Sequence, residues 1–273
     1  MQEKSKAGAI VRLVLSVVIF FMLLSCLLFG IMKKDGKNFF INFGFGGLHY
    51  SDEDKYIVGN TSFHASELEE IHIDWVDGQL NVVPVDNGDD KILISEAGEQ
   101  GKEIPSDNKI RSRFENGILT VHYCSSSWFS FGHHDTNKTA YISIPKQLAH
   151  DIKIIEVDNV SADVYMDNLT AKEVEIDNVS GEVSFDGAVT DFDMETVSGN
   201  CKLKSTTTPN DISVDAVSGD TFITVPAQSD FCAETDSVSG ELLNEFSTIS
   251  KNSNNKWEFD SVSGDVEIRK LSN

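Results

Sequence analysis

Length, composition and charge already restrict what this chain can do. It has 273 residues, with 44 Asp and Glu against 22 Lys and Arg, for a formal net charge of −22 at pH 7. A surface of this sign repels nucleic acid and anionic lipid head groups, which disfavours nucleic-acid binding. Four cysteines without a Cys-x-x-Cys spacing predict a fold that does not depend on disulfides.

Residues 13–32 contain no charged side chain. Because roughly 20 apolar residues cross a bilayer as a helix, we predict a single uncleaved transmembrane helix here. Residues 1–12 are then a cytoplasmic tail, and residues 33–62 a juxtamembrane linker. A cleaved signal peptide is a competing interpretation, although the stretch lacks a small-x-small cleavage site. Lipid attachment at Cys26 is another, although the apolar run continues beyond that cysteine.

Basic residues flank the predicted helix on both sides, so the positive-inside rule does not decide its orientation. A tail of residues 1–12 is too short to be a functional module, and the large domain follows the helix. We therefore expect a single-pass protein of the cell membrane whose C-terminal domain is extracytoplasmic.

Residues 63–150 predict an irregular N-terminal cap that contains early, divergent rungs of a repeat. The stretch 71–82 carries the Asp, Val, Gly and apolar positions of that repeat at Asp74, Val76, Gly78 and Leu80. Terminal repeats are expected to be atypical because they cap the stack. Further strands are predicted at 91–95, 118–123 and 140–144, with polar loops at 98–108 and 125–138.

One motif, Val-Ser-Gly-(Asp/Glu)-Val with an acid two residues before its first valine, recurs with small variations from about residue 157 onward. Its serines stand at 161, 180, 198, 218, 239 and 263. Self-similarity at this spacing is typical of stacked-repeat folds. Residues 151–273 therefore predict a regular parallel β-solenoid (β-helix) in which each copy pairs with the next.

Within a copy, apolar and polar residues alternate with period two, which predicts strands on both sides of a corner. We place the corner near Asp177 and Asn178, because such side chains suit turns. The motif glycines predict a column too tight for side chains, at Gly181, Gly199, Gly219, Gly240 and Gly264. The motif valines are predicted to form one buried internal column: Val160, Val179, Val197, Val217, Val238 and Val262.

These motifs resemble those of a known family. The Asp-Gly-x-Leu-x-Val rung at 77–82, the Ile-Ser-Ile-Pro strand end at 142–145 and the Val-Ser-Gly rungs are similar to the bacterial "putative adhesin" β-strand-repeat family. The resemblance covers about residues 60–270. It implies an all-β, parallel β-solenoid domain of unknown function at the bacterial envelope, with membrane-anchored, envelope-stress-associated members. It brings no catalytic residues to transfer.

The acid of each copy predicts a charged column, at Asp158, Asp177, Glu195, Asp215, Asp236 and Asp260. Stacked rungs would place these carboxylates about 4.8 Å apart, where like charges repel. Each carboxylate could accept backbone N–H bonds at its corner, or calcium could bridge the column. We favour the structural interpretation, because the glycine-rich nonapeptide of calcium-binding β-rolls is absent.

Other candidate sites are weaker. Paired carboxylates for glycan hydrolysis need two unlike environments, whereas a repeated column offers equivalent ones. The histidines His72, His122, His133 and His134 do not show the converging spacing of a zinc site. Trp75, Trp128 and Trp257 are expected to plug the solenoid ends, or else to form a binding patch, and Cys201 to be a small buried hydrophobe. We predict no catalytic residue, no metal ligand and no cofactor.

The sequence thus favours a non-enzymatic, adhesion-like interaction module of the cell envelope. Its expected partners are the membrane, through the N-terminal helix, and an envelope protein or glycan that contacts the acidic face or the loops. Two alternatives remain open at this point. One is an accessory protein of an envelope-stress signalling system, and the other is a carbohydrate-active β-helix enzyme.

Overall fold

The computed structural model describes residues 50, 52–86, 88, 90–126, 137–246 and 253–272. The predicted transmembrane helix at 13–32 lies outside these residues, as do His133, His134 and Trp128. Within the described part of the chain, no helix has both the length and the apolar character needed to cross a membrane.

The described residues are mostly β-strand, with short 3-10 turns at Glu53–Lys55, Glu99–Gly101, Ser106–Asn108 and Lys146–Leu148. The first nine strands are β1 (Ile57–Val58), β2 (Thr61–His64), β3 (Glu70–Trp75), β4 (Gln79–Val85), β5 (Lys91–Gly98), β6 (Arg111–Glu115), β7 (Ile118–His122), β8 (Lys138–Pro145) and β9 (Ile152–Asn159). The rest are β10 (Asp163–Ser180), β11 (Val183–Ser198), β12 (Cys201–Ser205), β13 (Asp211–Ser218), β14 (Thr221–Val225), β15 (Cys232–Ser239), β16 (Leu242–Asn244), β17 (Lys256–Ser263) and β18 (Val266–Lys270).

The strands form two sheet surfaces that enclose one hydrophobic core. Sheet I contains, in spatial order, β1, β6, β7, β3, β9, the second half of β10, the second half of β11, β13, β17 and β15. Sheet II contains β2, β5, β8, β4, the first halves of β10 and β11, β12, β14, β18 and β16. Each rung of the solenoid is a sheet I strand, a corner, and a sheet II strand.

From β9 onward all pairings are parallel, so the predicted parallel β-solenoid is confirmed. The strands β10 and β11 each run through two rungs, turning between the sheets at Asn168 and Gly187. Asn168 has a positive φ of 55° and interrupts the register there, so it makes the bend. Antiparallel pairs occur only in the cap, at β1–β6, β6–β7, β2–β5 and β5–β8, among the described strands.

The rungs are not stacked in chain order. At the C-terminal end, β17 lies between β13 and β15, and β18 lies between β14 and β16. At the other end, β3 lies between β7 and β9. The last rung in the chain is therefore inside the stack, and β15 with β16 is the terminal rung.

The corner lies later in the copy than predicted. The strand β10 continues through Asn178 and Val179 to Ser180, and the chain turns at Gly181. Alternation along the unbroken strand therefore sends Asn178 inward and leaves Val179 half-buried at the rim. The predicted buried valine column is wrong: its members are half-buried, and Val238 is 61% exposed.

The interior position next to the valine carries a polar ladder in the first three copies. Asn159 Nδ2 donates to Asn178 Oδ1 at 2.8 Å, and Asn178 Nδ2 donates to Thr196 Oγ1 at 3.3 Å. All three residues are at most 4% exposed. These bonds between successive rungs satisfy amide groups that would otherwise be costly to bury.

The cap contains a buried ion pair. Lys138 Nζ donates to Glu96 Oε2 at 2.8 Å and to the backbone oxygens of Asn108 and Tyr123 at 2.6 and 2.5 Å. Burial lowers the pKa of Lys138, and the charge of Glu96 opposes that shift. The ordered domain also begins earlier than predicted, because β1 and β2 start inside the expected linker at 33–62.

The tryptophans near the two ends belong to the core. Trp75 packs edge-on against Tyr123 at 5.0 Å, and Trp257 stacks on Phe231 at 3.7 Å between ring centroids. Both indoles are 1% exposed. Trp75 lies in β3, the fourth strand of sheet I from the cap end, and Trp257 lies in β17, the next-to-last strand, so neither presents a binding patch.

Candidate functional site: the acidic face of sheet I

The predicted acidic column exists and is longer than expected. Strand register aligns each of its acids with the next along the outer surface of sheet I. The cap continues it with Asp74 and His122. In spatial order the column is His122, Asp74, Asp158, Asp177, Glu195, Asp215, Asp260 and Asp236.

A second column lies two residues earlier on the same face, where side chains point the same way. Sequence analysis missed it, although an acid two positions before five of the column acids was the available signal. Its members are Thr120, His72, Glu156, Glu175, Asp193, Ser213, Glu258 and Glu234. A shorter third row, at Glu173, Asp191 and Asp211, adds to the negative charge. We call the surface formed by these three rows the acidic face.

Asp158 is the most confined acid of this face. It is only 6% exposed, and its pKa is raised well above the ordinary value. Burial is the main cause, and the carboxylates of Asp74, Asp177 and Glu156 add to it. A hydrogen bond with Asp74 also favours the protonated form. Burial and these neighbours thus favour the protonated form of Asp158.

The same effect extends along the column. Partial desolvation, followed by the charge of Asp193, raises the pKa of Asp177 to about 6, although its side chain keeps contact with solvent. Burial followed by the charge of Asp260 raises the pKa of Asp215 to about 6. Glu175 and Asp193 shift in the same direction. Bringing these acids together therefore costs free energy that bound protons or cations would relieve.

Two histidines lie at the cap end of the face. His72 contacts Glu70 at 2.9 Å through Nε2 and Glu156 at 3.0 Å through Nδ1. The hydrogen bond with Glu156 is the main cause of a raised His72 pKa. His122 Nδ1 lies 2.5 Å from Asp74 Oδ2, and its ring stacks on Tyr50 at 4.0 Å. The raised pKa of His72 favours its protonated form, which reduces the negative charge at the cap end of the face.

Side chains outside the acid columns contribute to the corners. Several corner amides are satisfied by side chains one residue beyond a glycine position. Asp163 Oδ1 accepts from Glu182 N at 3.0 Å, and Asp220 Oδ1 accepts from Asp265 N at 2.9 Å. Asn200 and Asp265 accept in the same manner.

Metal and catalytic chemistry gain no support from this geometry. Within the residues that the structure describes, no group of three or more His, Cys, Asp or Glu side chains is placed to hold a metal ion. The acids repeat along the columns although their environments differ, with Asp158 buried and Glu195 exposed, and nothing in this geometry assigns two of them to glycan hydrolysis. Cys201 faces the core, and burial raises the pKa of its thiol to about 12, as expected for a small buried hydrophobe. What the face can do is concentrate cations.

Comparison with solved structures finds similar folds. A protein described as a putative cell adhesion protein from Clostridium sporogenes is 11% identical, with a TM-score of 0.46, covering 79% of this chain and 100% of that chain. A putative adhesin from Bacteroides fragilis is 15% identical, with a TM-score of 0.42, covering 79% of this chain and 97% of that one. Among curated proteins, nothing matches this chain.

The model of one protein family matches most of the ordered domain. The match is to the Toastrack DUF4097 family and extends over residues 59–269, which includes nearly every rung and both columns of the acidic face. The chain belongs to the Toastrack DUF4097 family.

Proposed function

We propose that this protein is a membrane-anchored, extracytoplasmic interaction module of the cell envelope, without enzymatic activity, whose acidic face binds a cationic partner. The observation that supports it is the pair of aligned acid columns on one surface of sheet I. A scaffold needs no such surface, because the corners and the core are already held by other side chains.

The raised pKa values indicate why a cation would bind. Burial first, and then like charges at neighbouring positions, disfavour the ionised state of Asp158, Asp177 and Asp215. A partner that brings ammonium or guanidinium groups to the face relieves that repulsion and displaces protons. Binding is therefore expected to weaken with salt and to strengthen when the acids are ionised.

A defined polycation tests the binding step. Titration of oligolysine into the purified full-length chain should show saturable binding that falls steeply with ionic strength. A variant in which Glu156, Asp177, Glu195 and Asp215 become Gln or Asn should lose at least tenfold in affinity. A control variant with four acids changed in the cap, Asp86, Asp90, Glu103 and Asp107, has the same net charge. An equal loss of affinity in both variants would mean that the net charge of the protein, and not the acidic face, determines binding.

Two further experiments test the proposed orientation in the membrane and the proposed partner. Protease added to intact cells should digest the domain if residues 13–32 anchor it with the C-terminal part outside, and protection would refute that orientation. Crosslinking of the intact protein in its own membrane should then capture a partner that is lost in the four-acid face variant and retained in the cap variant.

A further inference from the structure

The outer surface of sheet II carries a block of uncharged side chains at its cap end. The strands β5, β8 and β4 lie side by side there, and their register aligns three outward positions of each strand with three of the next. The intervening residues Ile94, Ile142 and Val82 are buried, so the alternate side chains face outward. The block consists of Leu93, Ser95 and Ala97 on β5, Thr139, Tyr141 and Ser143 on β8, and Gln79, Asn81 and Val83 on β4, and Tyr165 on β10 continues its middle row. We call these ten residues the neutral patch.

The neutral patch differs in charge from the rest of the protein. The chain has 44 acids and 22 bases, yet none of them stands at these ten positions. On the same surface beyond Tyr165, charged side chains return and pair with one another, as Lys202 does with Glu182 at 2.6 Å. The ten side chains are exposed or half-buried, and Tyr141 is 45% exposed. An accessible surface that is depleted in charge and contains tyrosine has the composition of a binding surface.

The middle row of the patch places two aromatic rings at a regular distance. Tyr141, Asn81 and Tyr165 are consecutive partners on β8, β4 and β10. Two strand spacings, about 10 Å, therefore separate the tyrosines. Alternate sugars of an extended β-1,4-linked glycan repeat at a similar distance, and the C–H groups of a sugar ring stack on the negative face of an aromatic ring. The row can thus hold three consecutive sugars, with the outer two on the tyrosines and the central one over Asn81.

Two amide side chains beside the tyrosines are held in place by hydrogen bonds. Gln79 Nε2 donates to Asn81 Oδ1 at 2.9 Å, and Asn81 Nδ2 donates to the backbone oxygen of Ala140 at 3.1 Å. Each amide nitrogen carries a second N–H, which can donate to a sugar oxygen. Side chains that are already fixed lose little conformational entropy when a ligand binds, so these amides suit a polar, uncharged partner.

We propose that the neutral patch binds an uncharged, extended β-1,4-linked glycan along the row of Tyr141, Asn81 and Tyr165. A surface without charge complements an uncharged chain. An anionic glycan would be repelled by the net charge of −22, and a cationic partner would be drawn to the acidic face. The patch lies on the outer surface of sheet II and the acidic face on that of sheet I, so the glycan site is separate from the site for a cationic partner.

Titration with short sugars tests the spacing. Chitotriose is an uncharged β-1,4-linked trisaccharide, whereas maltotriose is α-1,4-linked and curved, so its alternate sugars do not repeat along a line. The purified full-length chain, in a detergent without a sugar head group, should bind chitotriose saturably in isothermal titration calorimetry. Maltotriose should bind about tenfold more weakly, because it cannot reach both tyrosines. Since no charge takes part, the affinity for chitotriose should be almost the same at low and high salt.

Two substitutions test the aromatic residues. Tyr141→Ala and Tyr165→Ala should each weaken chitotriose binding about fivefold, as expected for the loss of one stacking contact. Phe222→Ala is the matched control, because Phe222 lies in the same row of sheet II, three strands beyond Tyr165, and is half-buried as Tyr165 is. This control and the four-acid variant of the acidic face should both bind chitotriose as the unaltered chain does. Circular dichroism melting should show that all variants are folded.

Several results would overturn the proposal. It fails if chitotriose does not bind saturably, if maltotriose binds as tightly, or if the tyrosine variants bind as well as the unaltered chain. It also fails if Phe222→Ala loses as much affinity as they do. A second copy of the chain is the other occupant to consider, so sedimentation without sugar is measured as well. A dimer that is lost in Tyr141→Ala would assign the patch to self-association and overturn glycan binding.

Discussion

Gly264 packs directly on Gly219, so the last copy of the repeat lies between the fourth copy and the fifth. A Cβ atom on Gly264 would overlap the backbone oxygen of Gly219, and a Cβ atom on Gly240 would overlap that of Gly264. Gly219 in turn lies on Gly199 with a φ of 134°, a region that L side chains rarely adopt. The predicted glycine column is therefore confirmed, in the order 181, 199, 219, 264 and 240.

Replacing Gly219 should strongly destabilise the domain. Gly219→Val introduces a backbone clash with Gly199 together with an unfavourable φ, which we expect to cost about 3–5 kcal/mol of unfolding free energy. Gly88→Ala is the control, since its φ is 67° but nothing lies within 4 Å of the added atom. Urea unfolding of both variants checks this, and a Gly219→Val midpoint equal to that of the control would contradict the tight column.

The rung order can be tested with paired cysteines. Ser213 and Glu258 are direct cross-strand partners, whereas Glu234 lies one strand further away. In a Cys232→Ser background, Ser213→Cys with Glu258→Cys should form a disulfide, because neighbouring Cα atoms fall within bonding range. Ser213→Cys with Glu234→Cys should stay reduced, because two strand spacings separate them by about 10 Å. Electrophoresis without reductant distinguishes the two pairs. The reverse result would show that the rungs are stacked in chain order, with β15 next to β13.

Mild acidification should stabilise the domain. The pKa values of Asp177 and Asp215 are about 6 in the folded protein, against 3.8 for the free side chain. Between pH 3.8 and about 6, the folded state therefore binds more protons than the unfolded state does. Stability from these groups is present at low pH and is lost as pH rises through about 6. The raised pKa of His72 acts in the same direction.

Lowering the pH from 7.5 to about 5 should therefore raise the unfolding free energy by roughly 1–2 kcal/mol, after allowance for solvent screening. Thermal melts across this range measure how the melting temperature changes with pH. The Asp215→Asn variant should be more stable than the unaltered chain at pH 7.5, and its melting temperature should depend less on pH. A melting temperature that falls on acidification would show that the like charges of the acidic face are not the dominant titrating groups.

The buried Lys138 should be needed for the cap because of its charge partner. Lys138→Met leaves the Glu96 carboxylate, 4% exposed, without its cation, which we expect to cost about 3–5 kcal/mol. Adding Glu96→Gln removes the stranded charge and keeps an acceptor for the Ile110 amide, so the double variant should recover at least half of that loss. Equilibrium unfolding in urea compares the two. A double variant no more stable than Lys138→Met would exclude the uncompensated charge as the cause.

Much of the site followed from spacing alone. The register places Asp158, Asp177, Glu195 and Asp215 on neighbouring rungs, as predicted from their sequence separation. The burial of Cys201 and the glycine column followed in the same way. These inferences succeeded because a repeat whose strands pair in parallel must superpose equivalent positions.

The position of the corner did not follow from the sequence. Asp177 and Asn178 look like turn residues, yet the strand continues through them, and Asn178 bonds inward to the next rung. An isolated copy offers no partner for a buried amide. Only the neighbouring rung supplies one, so a polar residue became an interior residue and Val179 moved to the rim.

Sequence by itself determined the all-β class, the stacked repeat and the acids that share a column, because alternation along a strand and the length of a copy are local properties. Tertiary structure alone decided that the last rung in the chain packs beside Gly219, so that β15 and β16 form the end of the stack. Copies of nearly equal length and pattern can pair with one another in several orders, so the order depends on how whole rungs pack. That packing also decides which backbone edges and which acids the protein presents to a partner.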